Sequence, residues 1–239
     1  MRKILEIVVI FLLFSCTIVE RDNPYDSGGK NYMGDKLPSS SSVVSCSNVG
    51  SYSCDMSGYR TVEIGSQTWM AENLNCDVKG SYCYDKKTEN CTRYGRLYDW
   101  CTAMAICTNG WHLPSDAEWQ ELLDFVVLNS EDSLYVAGGT SYYCAGKYLK
   151  ADSGWDDDKY GKSGNGEDTY KFSALPGGQG YSTDHYGFAV GDQGYWWTAT
   201  EHSAVYGSYQ AISMSSSHGG AILDFYEKDY TFSVRCVRD

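Results

Sequence analysis

Ten cysteines in 239 residues constrain this chain more than any other feature. No two of them are spaced Cys-x-x-Cys, the pattern a structural zinc site normally shows, so they read as a disulfide framework for an oxidising compartment. The first residues agree. Arg2 and Lys3 form a short cationic start, Ile4 to Phe14 is apolar apart from Glu6, and the small Ser15 precedes Cys16. About 11 apolar positions fall short of the roughly 20 that cross a bilayer core, so residues 1–15 read as a signal peptide, not an anchor helix.

Leu13-Phe14-Ser15-Cys16 resembles the bacterial lipobox, although Phe14 stands where a small or aliphatic residue is usual. The resemblance implies that Cys16 is lipidated, becomes the mature N-terminus and holds the protein to a membrane through its lipid. Thr17 is not the aspartate that, in the enterobacterial lipoprotein pattern, retains a protein at the inner membrane, so the expected location is the outer membrane or cell surface. Residues 16–45 have no hydrophobic period and carry Asp22-Asn23-Pro24-Tyr25-Asp26, Gly28-Gly29 and a serine run from Ser39 to Ser42. Such a stretch cannot repay its ordering entropy and reads as a flexible tether. Residues 46–239 are then long enough for one domain with a full core.

The domain is acidic. The chain's net charge is −12, and residues 1–45 carry five basic and five acidic side chains, so all of it falls on the domain. That opposes the counterion-release attraction behind phosphate-backbone binding, and no nucleic-acid partner is expected. With 42% hydrophobic and 15% aromatic residues, collagen-like and disordered classes are excluded.

With Cys16 lipidated, Cys46, Cys54, Cys76, Cys83, Cys91, Cys101, Cys107, Cys144 and Cys236 remain, an odd set that leaves one thiol over or paired between chains. Cys46 with Cys54 and Cys83 with Cys91 are close enough in sequence to close small loops. Cys107 with Cys236 would tie the middle of the chain to its end, and loop entropy alone gives such a bridge about 4 to 5 kcal/mol. Sequence leaves Cys76, Cys101 and Cys144 unassigned.

Local patterns predict two short helices. Ser115 and Glu118 form a capping box, and Trp119, Leu122, Leu123, Val126 and Val127 follow at i, i+3, i+4, i+7 and i+8, which predicts a helix over about 116–128. Leu97, Trp100, Cys101, Met104 and Ala105 repeat the period and predict another over about 95–106. Tyr59 to Ile64 and Gln67 to Ala71 flank Gly65-Ser66, a hairpin turn with glycine first. Segments 195–200, 209–214, 221–226 and 232–237 read as a late antiparallel meander. Residues 129–194 read as a long, irregular, glycine-rich insertion, longer than compact domains carry without a role.

Five segments carry a resemblance. They are Ile64-Gly65-Ser66-Gln67-Thr68-Trp69-Met70-Ala71-Glu72-Asn73-Leu74, Tyr94-Gly95-Arg96-Leu97-Tyr98, Gly110-Trp111-His112-Leu113-Pro114-Ser115-Asp116-Ala117-Glu118-Trp119, Phe172-Ser173-Ala174-Leu175-Pro176-Gly177-Gly178 and Ser233-Val234-Arg235-Cys236-Val237. Together they resemble the Fibrobacter succinogenes major paralogous domain over about 60–239, which implies a secreted or lipid-anchored bacterial protein and carries no assigned chemistry. More distantly, Trp111-His112-Leu113-Pro114 to Trp119 with Val234-Arg235-Cys236-Val237 is similar to the formylglycine-generating enzymes and C-type lectins. That similarity implies an α+β fold of the C-type-lectin-like or sulfatase-modifying-factor-like kind, with two short helices, irregular antiparallel sheets and long loops, stapled here by disulfides.

No catalytic residue can be nominated. The formylglycine-generating enzymes use a cysteine pair, and no two cysteines here align with that motif. Lectin calcium triplets (Glu-Pro-Asn or Gln-Pro-Asp, with Trp-Asn-Asp) do not occur. Asp156, Asp158, Gly161 and Glu167 fall at positions 1, 3, 6 and 12 of an EF-hand loop, but Tyr160 occupies the ligand position 5 and no exit helix follows. The loop reads as solvated and acidic, with no metal site or cofactor assigned and calcium disfavoured. His112, His185, His202 and His218 are scattered, and His112 reads as a packing or capping residue. There is no Gly-x-Ser-x-Gly, no His-Glu-x-x-His and no phosphate-loop lysine.

The aromatics remain. Trp69, Trp100, Trp111, Trp119 and Trp196 sit in regular elements or in the resembling segments and read as core. Trp155, in a Gly/Asp-rich stretch, is expected to be exposed. Trp155, Asp156, Asp158, Tyr181 and Tyr186 combine aromatic faces with hydrogen-bond acceptors on the long insertion, and are the expected ligand site. The reading that follows is a surface-displayed, lipid-anchored binding or adhesion module for polysaccharide or another surface protein. A formylglycine-generating-type enzyme and a structural envelope protein are the alternatives, because one scaffold hosts unrelated functions.

Overall fold

The computed structural model describes Cys46, Gly50 and residues 52–131, 141–142, 144–183, 186–201 and 208–239. The expected signal peptide, Cys16 and the tether lie outside these residues, as do His185 and His202. The elements run β1 (Thr61–Ile64), β2 (Gln67–Met70), β3 (Ser81–Tyr82), α1 (Thr88–Tyr94), β4 (Leu97–Asp99), α2 (Trp100–Ile106), β5 (Trp111–His112) and α3 (Asp116–Leu128). They continue β6 (Ser141–Tyr142), α4 (Ala145–Leu149), β7 (Gln179–Tyr181), β8 (Gly187–Phe188), β9 (Gln193–Glu201), β10 (Ser208–Ser215), β11 (Ala221–Glu227), β12 (Tyr230–Phe232) and β13 (Val237–Arg238). The fold is α+β, with short helices and three sheets ordered β1-β2-β13-β5, β6-β11-β10-β9 and β3-β4-β12-β7-β8, all of whose ladders are antiparallel. No helix among the described residues is long and apolar enough to cross a membrane.

The helix predicted over 116–128 forms over that span. Ser115 accepts from the Glu118 amide while Glu118 reaches back to the Ser115 amide, and the five periodic apolar residues are fully buried. The other prediction needs correction, since 95–99 is not helical. Gly95 takes φ +79°, where an added Cβ would meet Asn73 and the Leu74 carbonyl, and Leu97–Asp99 is drawn into the sheet between β3 and β12. The helix starts only after Asp99, whose carboxylate caps the Thr102 amide at 2.8 Å. The Gly65-Ser66 hairpin forms as read, with Gly65 at φ +63° between β1 and β2.

Strand β9 separates two cores because successive side chains leave it on opposite faces. Trp196 joins Trp69, Trp119 and Phe172 against α3 and α4, whereas Tyr195 and Trp197 join Tyr98, Tyr209 and Phe232. The predicted meander holds for β9, β10 and β11 but not for 232–237. That segment serves three sheets in six residues. It leaves β12, exchanges Ser233 hydrogen bonds with Tyr195 and Trp197, offers the Val234 and Cys236 carbonyls to Leu74 and Met70, and re-forms as β13.

Cys83–Cys91 and Cys107–Cys236 are bridged as expected. The Cys46–Cys54 pairing is wrong: Cys46 bonds Cys101 on α2, and Cys54 bonds Cys76. Sequence proximity misleads here because the chain after β2 returns alongside residue 54. There the Tyr98 hydroxyl accepts from the Cys76 amide at 2.8 Å and donates to its carbonyl at 3.0 Å. Cys144 is disulfide-bonded as well, so the thiol that the odd set was expected to leave over is not found among the described cysteines.

Candidate functional site

The five segments that carry the resemblance meet inside the protein. Asn73 donates to the Tyr94 carbonyl at 2.8 Å, and its Oδ1 accepts from Trp196 Nε1 at 2.8 Å and Arg235 Nε at 2.9 Å. Arg235, fully buried, also donates to the Phe172 carbonyl and, at 2.7 Å, to the Ser173 carbonyl, and stacks over the Phe172 ring. Ser173 in turn gives its amide and hydroxyl to the buried Asp168 carboxylate at 2.7 and 2.8 Å. Trp119 closes the set against Trp69, Phe172 and Trp196. The hydrogen-bonded members satisfy one another, and of the three indoles only that of Trp119 is buried without a partner, so this network organises the fold.

Of the five expected site residues, Trp155 requires correction: it is 4% exposed. Its indole N–H donates to the Ala174 carbonyl at 2.9 Å, and the Lys150 ammonium lies over its ring at 4.9 Å. Lys150 is buried too, donating to the carbonyls of Gly164, Ser215 and His218 at 2.6, 2.8 and 3.1 Å. Burial pushes its pKa down to about 8, with the Lys162 charge adding and Asp192 opposing. This clamp fixes the insertion to the turn after β10. A Gly/Asp-rich stretch is thereby folded over a tryptophan that composition alone places outside.

Asp156 and Asp158 lie on the loop held by that clamp. The Asp156 amide donates to the Gly191 carbonyl at 2.8 Å, and Asp158 Oδ1 accepts from the amides of Tyr160 and Lys162. Those amide bonds, led by that of Lys162, hold the Asp158 carboxyl below its usual range. Glu167, the last position of the EF-hand pattern, faces Lys147 at 3.4 Å. Among the described residues, no cluster of three or more His, Cys, Asp or Glu side chains is placed to hold a metal ion. His112 sits between two carboxylates, Nδ1 2.6 Å from Asp239 and Nε2 2.7 Å from Glu118. Burial opposes its charge, but the two hydrogen bonds and the carboxylate charges outweigh burial and raise its pKa.

Tyr181 and Tyr186 share the β7–β8 hairpin, where the Tyr181 amide donates to the Tyr186 carbonyl. Tyr186 is 67% exposed. It precedes β8 and Gly191 follows it, so the tyrosines and the acidic pair flank opposite ends of that strand. Around Tyr181 the structure assembles partners that sequence reasoning missed. Phe188 lies 5.6 Å away ring to ring, Tyr230 4.9 Å away, and Tyr226 continues the row 5.9 Å beyond Tyr230. All four are half-buried. The Tyr181 hydroxyl donates to that of Tyr230 at 3.4 Å, and burial, followed by this contact and the Asp229 and Glu227 charges, raises the Tyr230 pKa. The strip depends on β12 pairing with β7, a contact 49 residues apart for which no local signal exists.

No curated protein and no solved structure matches this chain. One family model does, over residues 62–238, and the matched span contains every member of the buried network. The chain belongs to the Fibrobacter succinogenes major domain family.

Proposed function

We propose that this protein is a surface-displayed, lipid-anchored binding or adhesion module whose ligand is a polysaccharide or another surface protein. One observation carries the reading: the half-buried aromatic strip Phe188–Tyr181–Tyr230–Tyr226 at the edge of an otherwise closed core, with the exposed Tyr186 on the same hairpin. Aromatic side chains that are neither buried nor scattered mark recognition surfaces. The scaffold is read as C-type-lectin-like, supported by the bridge from the end of α2 to the terminal segment and by recognition surfaces carried on long loops. The lipid reading rests on the lipobox-like Leu13-Phe14-Ser15-Cys16 and places the module at the outer membrane or cell surface. No cofactor enters the proposal.

The formylglycine-generating reading needs a reactive cysteine pair, and every described cysteine is engaged in a bridge. The test is a binding screen of the full chain against glycans, cell-wall polysaccharides and surface-protein extracts. Saturable binding lost in Tyr181→Ala supports the module. Turnover of a substrate without such binding overturns it.

A further inference from the structure

We propose that the Phe188–Tyr181–Tyr230 strip is a subsite for an uncharged pyranose unit of a glycan, an inference that rests on the binding-module reading and names its ligand chemistry. Register sets the face. Gln179 opposes Phe188 and Tyr181 opposes Tyr230, and directly opposed residues share a face, as do residues two apart on one strand. Gln179, Tyr181, Phe188 and Tyr230 therefore stand together. The rings tilt 39° and 40° to one another with centroids 5.6 and 4.9 Å apart, so they overlap as a row whose outer faces and edges are half-exposed. An ammonium cage needs walls closer to perpendicular. The C–H face of a sugar ring packs against an outward ring face of such a row.

The polar groups beside these rings are mostly acceptors. Gln179 is more than nine-tenths buried, and its Oε1 and Asp229 Oδ1, one residue before Tyr230, are both buried acceptors without a hydrogen-bond partner, which a ligand hydroxyl reaches once these side chains turn outward. Sugar hydroxyls donate to such atoms, and sugar carboxylates or sulfates do not. The Tyr230 hydroxyl accepts from Tyr181 and keeps its own proton for a ligand oxygen. The Asp229 carbonyl accepts from the Ser182 amide at 2.7 Å, so the turn carrying one acceptor is fixed to the strand carrying the ring. Charge selects in the same direction. The turn holds Glu227 and Asp229 against Lys228, on a chain of net charge −12, so polyanionic glycans are repelled.

The experiment is affinity electrophoresis of the full chain through gels containing mixed-linkage β-glucan, galactomannan, polygalacturonate or chitosan. The expected result is retardation by at least one neutral polymer, weakened roughly tenfold in Tyr181→Ala and several-fold in Asp229→Asn. Asp229→Asn replaces one acceptor oxygen with a donor and leaves the rings in place, so it tests the site even where the tyrosine variant unfolds. Retardation by polygalacturonate or chitosan alone overturns the uncharged assignment and leaves the binding module standing. Retardation by none of the four, with no ligand in the wider screen, removes both. Unchanged retardation in both folded variants overturns the placement on this strip.

Discussion

Replacing Lys150 with methionine keeps the apolar stem against Trp155 and removes the ammonium from three carbonyls. Leaving buried acceptors without a donor costs about 1 kcal/mol or more each, so Lys150→Met should lose about 3 kcal/mol near pH 7. The pH dependence is the sharper test. Lys150 has a pKa of about 8 in the folded protein against an ordinary 10.5, so between these values the unfolded chain binds more protons than the native one. Stability contributed by the wild-type residue then rises with pH across that window, by about 3 kcal/mol in total. Methionine does not titrate. The gap between wild type and Lys150→Met should accordingly widen from about 3 kcal/mol near pH 7 towards about 6 near pH 10.5. Tyrosine ionisation is common to both proteins and cancels in the difference. Urea titrations of the oxidised proteins at constant ionic strength, at half-unit steps from pH 7 to 10.5, measure it. A gap that stays constant or narrows refutes the buried-ammonium reasoning.

Cys16→Ser should release the protein from membranes and abolish palmitate labelling; a variant that stays membrane-bound beside an unlabelled wild type removes the lipoprotein reading. A chelator should leave the melting temperature unchanged, because Asp158 is taken by backbone amides and Glu167 by Lys147; a loss of several degrees restored by calcium shows otherwise. His112, with a raised folded pKa, contributes stability fully present below about pH 6.5 and lost as pH rises through its folded value. His112→Gln should thus cost more at pH 5.5 than at pH 9, by about 1 kcal/mol given the partial exposure of all three groups, and an equal loss at both pH values contradicts it.

What was legible in the sequence is what short segments decide alone. The capping box and five apolar residues specify α3 within fourteen positions, Gly65-Ser66 specifies its hairpin, and an eight-residue spacing brings Cys83 to Cys91. The helical period over 95–106 misled because Leu97 is buried from a strand and Trp100 from a helix, so one apolar spacing spans two elements. Trp155 misled for a related reason. Its burial depends on Lys150, whose carbonyl partners lie up to 68 residues away. The aromatic strip was half legible: Tyr181 and Tyr186 could be named from their loop, but Phe188, Tyr226, Tyr230 and the acceptors beside them join only when β12 enters the sheet between β4 and β7.

The separation between signature and strip bears on what family membership can carry. Asn73, Phe172, Ser173, Trp196 and Arg235 form a closed hydrogen-bonded and stacked set in which changing one member strands several others. Such a set fixes how β2, β9 and the terminal segment meet, and it tolerates little variation. Phe188, Tyr181, Tyr230 and Asp229 lie outside the five resembling segments, on the β7–β8 hairpin and at the start of β12, where the three rings are half-buried. Exchanging Tyr181 for another side chain there alters one face of a surface strip and leaves the buried network untouched. Two chains could share the whole network and recognise different ligands. On the proposed binding reading, the residues that identify the fold are the wrong place to seek a ligand, and the β7–β8 hairpin with the β11–β12 turn is where specificity would have room to change.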